Sequence, residues 1–389
     1  MKAIPKHILP VIVISQFCCT SLWFAGNAVM SDLISVFGLQ NDALGFLTSA
    51  VQLGFIIGTL LFALLNIADR FLPSNVFFGC ALIAALFNLG LNLPNNNLLS
   101  LASLRFGTGF FLAGIYPVGM KIAADYYDKD LGKSLGYLVG ALVLGTSFPH
   151  AIKGMGTDLN WTSVVLSVSI ASIVGGFLMK FTVPPGPHRK AMPNIHLSAF
   201  FKVFKNKSFK SAAFGYFGHM WELYTFWALV PVLLLTYKNI HPKIDLNISL
   251  WSFLIIAMGS IGCAVAGKLS IKRGAKRIAG LALFCSGFCC LISPFIFQLD
   301  TLELFLAVLL FWGFMVVADS PLFSTLVAKN ANPEIKGTAL TIVNCIGFAV
   351  TIFSIQLITY LGSILSSTFI YLLLALGPIF GLTHLFKKR

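Results

Sequence analysis

The sequence predicts an all-α integral membrane protein: twelve transmembrane helices in two pseudo-symmetric six-helix halves. Three observations carry this. Of 389 residues, 57% are hydrophobic and 10% charged, with a mean hydropathy of +0.88, whereas soluble domains carry roughly 25% charged residues. Apolar runs recur along the whole chain at the roughly 20-residue length that a helix needs to cross a bilayer core. Landmarks also repeat at about half the chain length: Asp69 and Ile271 lie 202 positions apart, and Tyr116-Pro117 and Ser320-Pro321 lie 204 apart. Two parallel six-helix halves would leave such a repeat.

The spans are expected at 10–32, 43–66, 74–93, 98–120, 134–153, 161–180, 209–236, 249–267, 277–298, 302–327, 337–358 and 363–385. Residues 1–183 then form the first half and 209–389 the second. The Pro-, Lys- and His-rich stretch 184–208 is the linker between them. Pro10 to Met30 is too long for the apolar part of a signal peptide, so it is kept as the first helix.

An even number of spans puts both termini on one side. Of the 27 Lys and Arg, 23 fall on the side of the termini and three (Lys153, Lys238, Lys243) on the other, with Arg105 inside a span. The positive-inside rule makes both termini cytoplasmic, and the expected location is a bacterial inner membrane. The net charge of +14 is therefore a topology signal and does not point to nucleic acid, since no basic domain lies outside the membrane. The expected partners are the lipid bilayer, a proton and a small-molecule substrate, with the protein a monomer. All eight cysteines (Cys18, Cys19, Cys80, Cys263, Cys285, Cys289, Cys290, Cys345) fall within spans and read as small apolar packers. No metal site and no cofactor is expected.

Helix one carries Gln16, Thr20, Trp23 and Asn27 on one face, either as interhelical hydrogen-bonding groups or as the wall of a wet cavity. Helix two has Gly54 and Gly58, small enough for close helix contact. The loop that follows reads Ala68-Asp69-Arg70-Phe71-Leu72-Pro73, and the loop after span eight reads Gly267-Lys268-Leu269-Ser270-Ile271-Lys272-Arg273-Gly274-Ala275-Lys276-Arg277. The Asp69-Arg70 pair resembles the loop signature GxLaDrxGrr of the major facilitator superfamily. The first copy keeps the acid, and the second keeps Gly267, Lys272, Arg273 and Gly274 with Ile271 in place of the acid.

In the fourth span, Arg105-Phe-Gly-Thr-Gly109 resembles that superfamily's RxxxG pattern, with Tyr116 on the same face eleven residues on. A guanidinium so deep must face the bundle interior or water. The segment Lys121 to Lys133 mixes Asp125, Asp128 and Asp130 with bases and reads as a solvated loop. Gly136 to Gly145 partly matches the GxxxGPxxGG signature of antiporters in the superfamily, with Ala141 in place of the proline, and serves equally as a tight packing surface. His150 and Lys153 read as interfacial. In the tenth span Asp319 precedes Ser320-Pro321, where the proline loosens the helix. The eleventh carries a polar face at Thr341, Asn344 and Thr351, and Asn344, like Tyr116 on the fourth, is expected to line a cavity. Lys387-Lys388-Arg389 is a cytoplasmic anchor.

Glu222 and Asp319 are the two acidic side chains deep in spans, Arg105 the deep base and His219 the deep imidazole. The resemblance implies that helices one, four, seven and ten line a central cavity. These four residues and the helix-one stripe fall on those helices. His219 and Glu222, three residues apart, share a helix face. Desolvation favours a protonated carboxylic acid and a nearby cation opposes it, so Glu222 is the candidate proton-coupling residue with His219 modulating it. Arg105 is either an anion anchor or a structural partner of a carboxylate. The aromatic faces of Trp23, Tyr116, Trp221 and Trp312 would suit an amphipathic or cationic substrate.

The reading is a secondary active transporter moving a small organic solute by alternating access with proton coupling. The alternative is a proton-driven antiporter exporting drugs or amphipathic metabolites. The chain has no HExxH, no CxxC pair and no phosphate-binding GxxxxGK[ST] loop, which argues against a metalloenzyme or a nucleotide-driven pump. A channel or a membrane sensor would call for repeated pore segments or a signalling domain.

Overall fold

Only some of the twelve membrane crossings are unbroken rods, and the breaks are what position the polar groups. The computed structural model describes residues 4–40, 42–127, 131–156, 159–189, 204–332, 336–365 and 367–387. These are helical, with no strand among the described residues. Asp128, Asp130, linker residues 190–203, Lys388 and Arg389 lie outside them. The chain divides into two compact units, residues 1–43 with 50–195 and residues 44–49 with 196–389.

In the first unit the opening crossing is three pieces, α1 (Ile8–Thr20), α2 (Ala25–Ala28) and α3 (Met30–Phe37), where the sequence predicts one rod. Gly38 closes α3 in the left-handed region at φ 59°, a conformation glycine adopts without steric cost. Then come α4 (Ala43–Leu64), a short α5 (Ile67–Arg70) that holds the Asp69-Arg70 pair, and α6 (Pro73–Leu89). The fourth crossing is split into α7 (Leu98–Leu112) and α8 (Tyr116–Tyr126), and α9 (Leu131–Gly154) and α10 (Trp161–Thr182) complete the unit. A reciprocal capping box starts α7: Ser100 N–H donates to Asn97 Oδ1 and Asn97 N–H to Ser100 Oγ, both at 2.9 Å.

The second unit holds α11 (Lys207–Ile240), α12 (Ile248–Arg273), α13 (Ala275–Ile296), α14 (Leu302–Ala318), α15 (Ser320–Asn330) and α16 (Lys336–Ile364). A 3-10 stretch, Thr368–Ala375, runs into α17 (Leu376–Phe386). Gly274, at φ 86°, makes the one-residue turn between α12 and α13. Among the described residues, eleven crossings are 19 to 34 residues long and strongly apolar, and the broken first one is the twelfth.

The half-chain repeat is visible in three dimensions. α8 and α15 are both eleven residues long, and their first residues lie 204 positions apart. Proline stands second in each, where a helix start has no amide bond to lose. In the first unit, a Cβ on Gly58 would strike the carbonyl oxygen of Phe110, and one on Gly109 that of Val51. In the second, Gly262 stands so against Phe314 and Gly313 against Ile255. All four correspondences keep the same offset, so α4 crosses α7 as α12 crosses α14. In lipid, such backbone-to-backbone approach is the main source of helix attraction.

Candidate functional site

α11 carries two of the four deep ionisable groups, and neither side chain reaches solvent: His219 and Glu222 are both 0% exposed. Although they share a helix face, they do not pair with each other. Glu222 Oε1 accepts from the Trp312 indole N–H at 2.7 Å and from the Cys290 thiol at 3.2 Å, and Oε2 lies 2.9 Å from the Ser286 hydroxyl. Ser286 and Cys290 are one turn apart on α13, and Trp312 is on α14. One carboxylate therefore ties three helices together. Its main donor is held from behind, because the Trp312 ring stacks on Phe226 at 4.4 Å, one turn along α11 from Glu222.

His219 faces Asp319 instead, with Nδ1 2.8 Å from Oδ1. Asp319 is the single residue between α14 and α15, and its backbone carbonyl accepts from the amides of Leu322 and Phe323 at 3.0 and 2.9 Å. Its carboxylate makes no cap to the helix that follows, which leaves it to the imidazole. The rings of Tyr216 and Phe323 flank His219 at 5.9 and 6.0 Å. Asn344, expected to line a cavity, accepts from the Tyr216 hydroxyl at 3.1 Å. No described residue hydrogen-bonds His219 Nε2.

Arg105 belongs to a different structure. It is 1% exposed, and Nη1 donates to the Leu22 carbonyl at 3.1 Å and to Asn88 Oδ1 at 3.3 Å, while Nη2 donates to the Trp23 carbonyl. Leu22 and Trp23 sit in the break between α1 and α2, where the Leu22 carbonyl receives the Ala25 amide at a long 3.5 Å, so the guanidinium supplies donors that the broken helix provides weakly. Gly26 makes room for it: a Cβ there would come within 3.3 Å of Arg105 Nε. Asn88 Nδ2 in turn donates to Ser169 Oγ at 2.9 Å, so α6 and α10 join the network.

The helix-one stripe is buried within the first unit. Gln16, Thr20 and Trp23 are 0% exposed and Asn27 5%. Thr20 Oγ1 bonds back to the Gln16 carbonyl at 2.8 Å, and Trp23 packs on Phe55 at 4.7 Å. Tyr116 is half-buried at the start of α8.

Asp69 accepts from Lys121 Nζ at 2.7 Å, and Arg189 donates to the carbonyls of Asp69 and Phe71 at 3.2 and 3.0 Å. The His188 amide bonds the Asp125 carbonyl at 2.9 Å, and the Tyr126 hydroxyl bonds the Pro184 carbonyl. The solvated-loop reading of Lys121 to Lys133 is therefore corrected at its start. Lys121 and Asp125 are buried, because the segment after α10 folds back over them. Arg70, Lys272 and Arg273 are exposed, and Gly267 is half-buried. His150, expected at the interface, is 1% exposed.

Three partners of Glu222 escaped sequence reasoning in that role. Cys290 reads as an apolar packer, Trp312 as part of an aromatic surface, and Ser286 stands out in no motif. The available signal was a hydroxyl and a thiol at i and i+4 on one face of the helix, among other serines and cysteines of the same helix.

Twelve apolar crossings, helix breaks at proline, a half-chain repeat and buried ionisable groups define a polytopic helical membrane protein of the transporter type. The chain belongs to the Major Facilitator Superfamily, whose sequence profile matches residues 12–355. The uncharacterized transporter YgaY of Escherichia coli is 28% identical over 177 residues, 43% of each chain. A choline/ethanolamine transporter of Danio rerio is 22% identical over 297 residues, 69% of this chain and 62% of that one. The chain thus matches less than two thirds of the length of either relative. Among solved structures, the nucleoside transporter NupG superposes with a TM-score of 0.74 at 14% identity, covering 98% of this chain and 100% of that one. The proton:xylose symporter XylE gives 0.72 at 15% identity, covering 97% and 94%. At these identities the likeness is one of fold.

Proposed function

We propose that this protein is a secondary active transporter that moves a small organic solute by alternating access, with Glu222 as the proton-carrying group. The observation that supports this is the state of Glu222. It is 0% exposed, accepts neutral donors from two other helices, and forms an ion pair with none of the described Lys, Arg or His residues. A buried carboxylate with no counter-charge costs several kcal/mol while ionised. Gaining and losing a proton during the cycle is the use that would retain it. The His219–Asp319 pair stands beside it as the neighbouring charged element, and we read Arg105 as scaffold for the first unit rather than as an anion anchor. The substrates of the similar proteins, xylose, nucleosides and choline or ethanolamine, favour a small polar solute.

The lysine and arginine bias supports placing both termini in the cytoplasm at a bacterial inner membrane, with the monomer as the working unit. A thermal-shift screen of sugars, nucleosides and amines on purified protein comes first. Proteoliposomes then carry the test: the stabilising solute should accumulate when a pH gradient is imposed. Glu222→Gln should keep solute counterflow and lose gradient-driven accumulation. Full gradient dependence in the Glu222→Gln protein would overturn the proposal. The sign of the accompanying proton flux separates symport from proton-driven export of drugs or amphipathic metabolites.

A further inference from the structure

We propose that Ser286 is a hydroxyl switch that lets Glu222 take up and release its proton at Oε2 with every polar atom around it bonded in both states. The inference rests on the reading of Glu222 as the proton carrier and assigns the atom and the residue that make it workable.

The argument is one of donor counting. Trp312 Nε1 can only donate and lies 2.7 Å from Oε1, so a proton on Oε1 would set two donors against each other. Oε1 is therefore the permanent acceptor, with the Cys290 thiol as its second donor at 3.2 Å. The proton belongs on Oε2. Ser286 Oγ is 2.9 Å from Oε2 and also 3.2 Å from the carbonyl oxygen of Leu283, one turn back on its own helix. A serine hydroxyl has one hydrogen and two lone pairs, and a bond to the carbonyl one turn back is an ordinary alternative for it in a helix.

With Glu222 ionised, the hydroxyl hydrogen points to Oε2. When a proton arrives at Oε2, that hydrogen turns to the Leu283 carbonyl and Ser286 accepts from the new acid O–H. When the proton leaves, the hydroxyl turns back. No bond to Trp312 or Cys290 changes, and no backbone movement is needed.

The other ionisable groups facing this point are few. Asp319 and its partner His219 lie beside it, and Cys289 adjoins Cys290 on α13. On α12, Cys263 bonds the Val317 carbonyl next to Asp319 at 3.2 Å. Lys272 and Arg273 of α12, the Lys and Arg of α13, α15 and α16 and the His of α17 are in the end turns of those helices, and Lys268 of α12 is exposed. The hydroxyl is thus the group placed to follow the proton.

The test is a pH titration of the full-length protein in lipid nanodiscs by infrared difference spectroscopy, which needs no substrate and reads the carboxylic acid carbonyl band directly. Wild type should show a band that titrates with pH and is absent from Glu222→Gln. A serine donates more strongly to a carboxylate than it accepts from a neutral acid, so Ser286→Ala weakens the ionised state more. Its midpoint should move to higher pH by about one unit, and its band should move to the higher frequency of a less hydrogen-bonded acid. Ser286→Thr, which keeps the hydroxyl, should titrate as wild type does. If Ser286→Ala does not fold, Ser286→Cys should give a smaller shift in the same direction. A Glu222-dependent band whose midpoint ignores Ser286 overturns this inference alone. The absence of any Glu222-dependent band overturns the reading on which it rests.

Discussion

Replacing Arg105 with methionine separates a scaffold role from an anchor role by the sign of the change in stability. The substitution keeps most of the side-chain length and removes every donor. Three buried acceptors then lose a charged donor: the carbonyls of Leu22, which keeps the Ala25 amide at 3.5 Å, and Trp23, and the amide oxygen of Asn88. Each lost hydrogen bond from a charged donor costs about 1.5 to 3 kcal/mol, or about 6 kcal/mol for the set. Against this, removing a guanidinium from the membrane interior returns about 3 kcal/mol on the insertion scale. The expected net loss is about 3 kcal/mol, which lowers the unfolding midpoint of a unit of this size by close to 10 °C. Arg105→Lys should not rescue it, because a single ammonium cannot reproduce the planar fork that serves both Nη1 and Nη2 partners. The assay is tryptophan fluorescence during thermal unfolding in detergent, with no ligand added. If Arg105 were held ready for an anionic solute, deleting its charge should leave the apo protein as stable or raise its midpoint. That result would refute the scaffold assignment.

Other perturbations test the remaining parts. Asp319→Asn or His219→Met alone should lower stability by about 3 kcal/mol, because each leaves its buried partner unmatched. The double change Asp319→Leu with His219→Met, which replaces the pair by two apolar residues, should recover much of that loss in thermal unfolding without restoring transport. Lys121→Met and Asp69→Asn should be less than additive, with a coupling of about 2 kcal/mol in a double-mutant cycle, since the pair is 8% and 15% exposed and little screened. Gly58→Val and Gly262→Val should each cost about 3 kcal/mol in thermal unfolding. The atom a new side chain would strike is a backbone carbonyl that cannot rotate away.

The crossings, their number and the half-chain repeat were legible because hydropathy and internal offsets are properties of the chain alone. The break in helix one was not. Ser21-Leu22-Trp23-Phe24 contains neither proline nor glycine, and its turn is stabilised by Arg105, which lies more than eighty positions away. The deep ionisable residues were legible as a set, since burial in lipid makes any charge conspicuous. Their pairing was not. Spacing put His219 beside Glu222, but a shared helix face spans a wide arc, and two side chains on it can meet different neighbours. Asp319 reaches His219 because α14 stops at residue 318 and α15 begins at 320. That geometry fixes which way its carboxylate points. Ser286 and Cys290 were invisible for another reason: hydroxyls and thiols are common packing residues in membrane helices, and only the arrival of a carboxylate distinguishes these two.

The internal repeat explains where the chemistry can differ between the units. The glycine contacts at Gly58 and Gly109 that seat α4 on α7 recur at Gly262 and Gly313 between α12 and α14, whereas Gly54, which meets the Phe106 carbonyl, has Met258 as its counterpart. At the matching break, however, the first unit has Ile115 and the second Asp319, 204 positions on. A conserved geometry with an unlike side chain at its hinge gives each unit a different polar interior. In the first unit the deep charge is Arg105, and its donors are occupied by carbonyls of a broken helix and an asparagine on α6. Those partners do not titrate, so that network has one stable arrangement. In the second unit the deep groups are two carboxylates and an imidazole, and Glu222 has the Ser286 hydroxyl 2.9 Å from Oε2. Alternation driven by protons needs an element with two comparably satisfied states. On the reading proposed above, the second unit supplies such an element at Glu222 and Arg105 serves the first as scaffold, so substitutions at Arg105 should change stability and substitutions at Glu222 or Ser286 should change pH response.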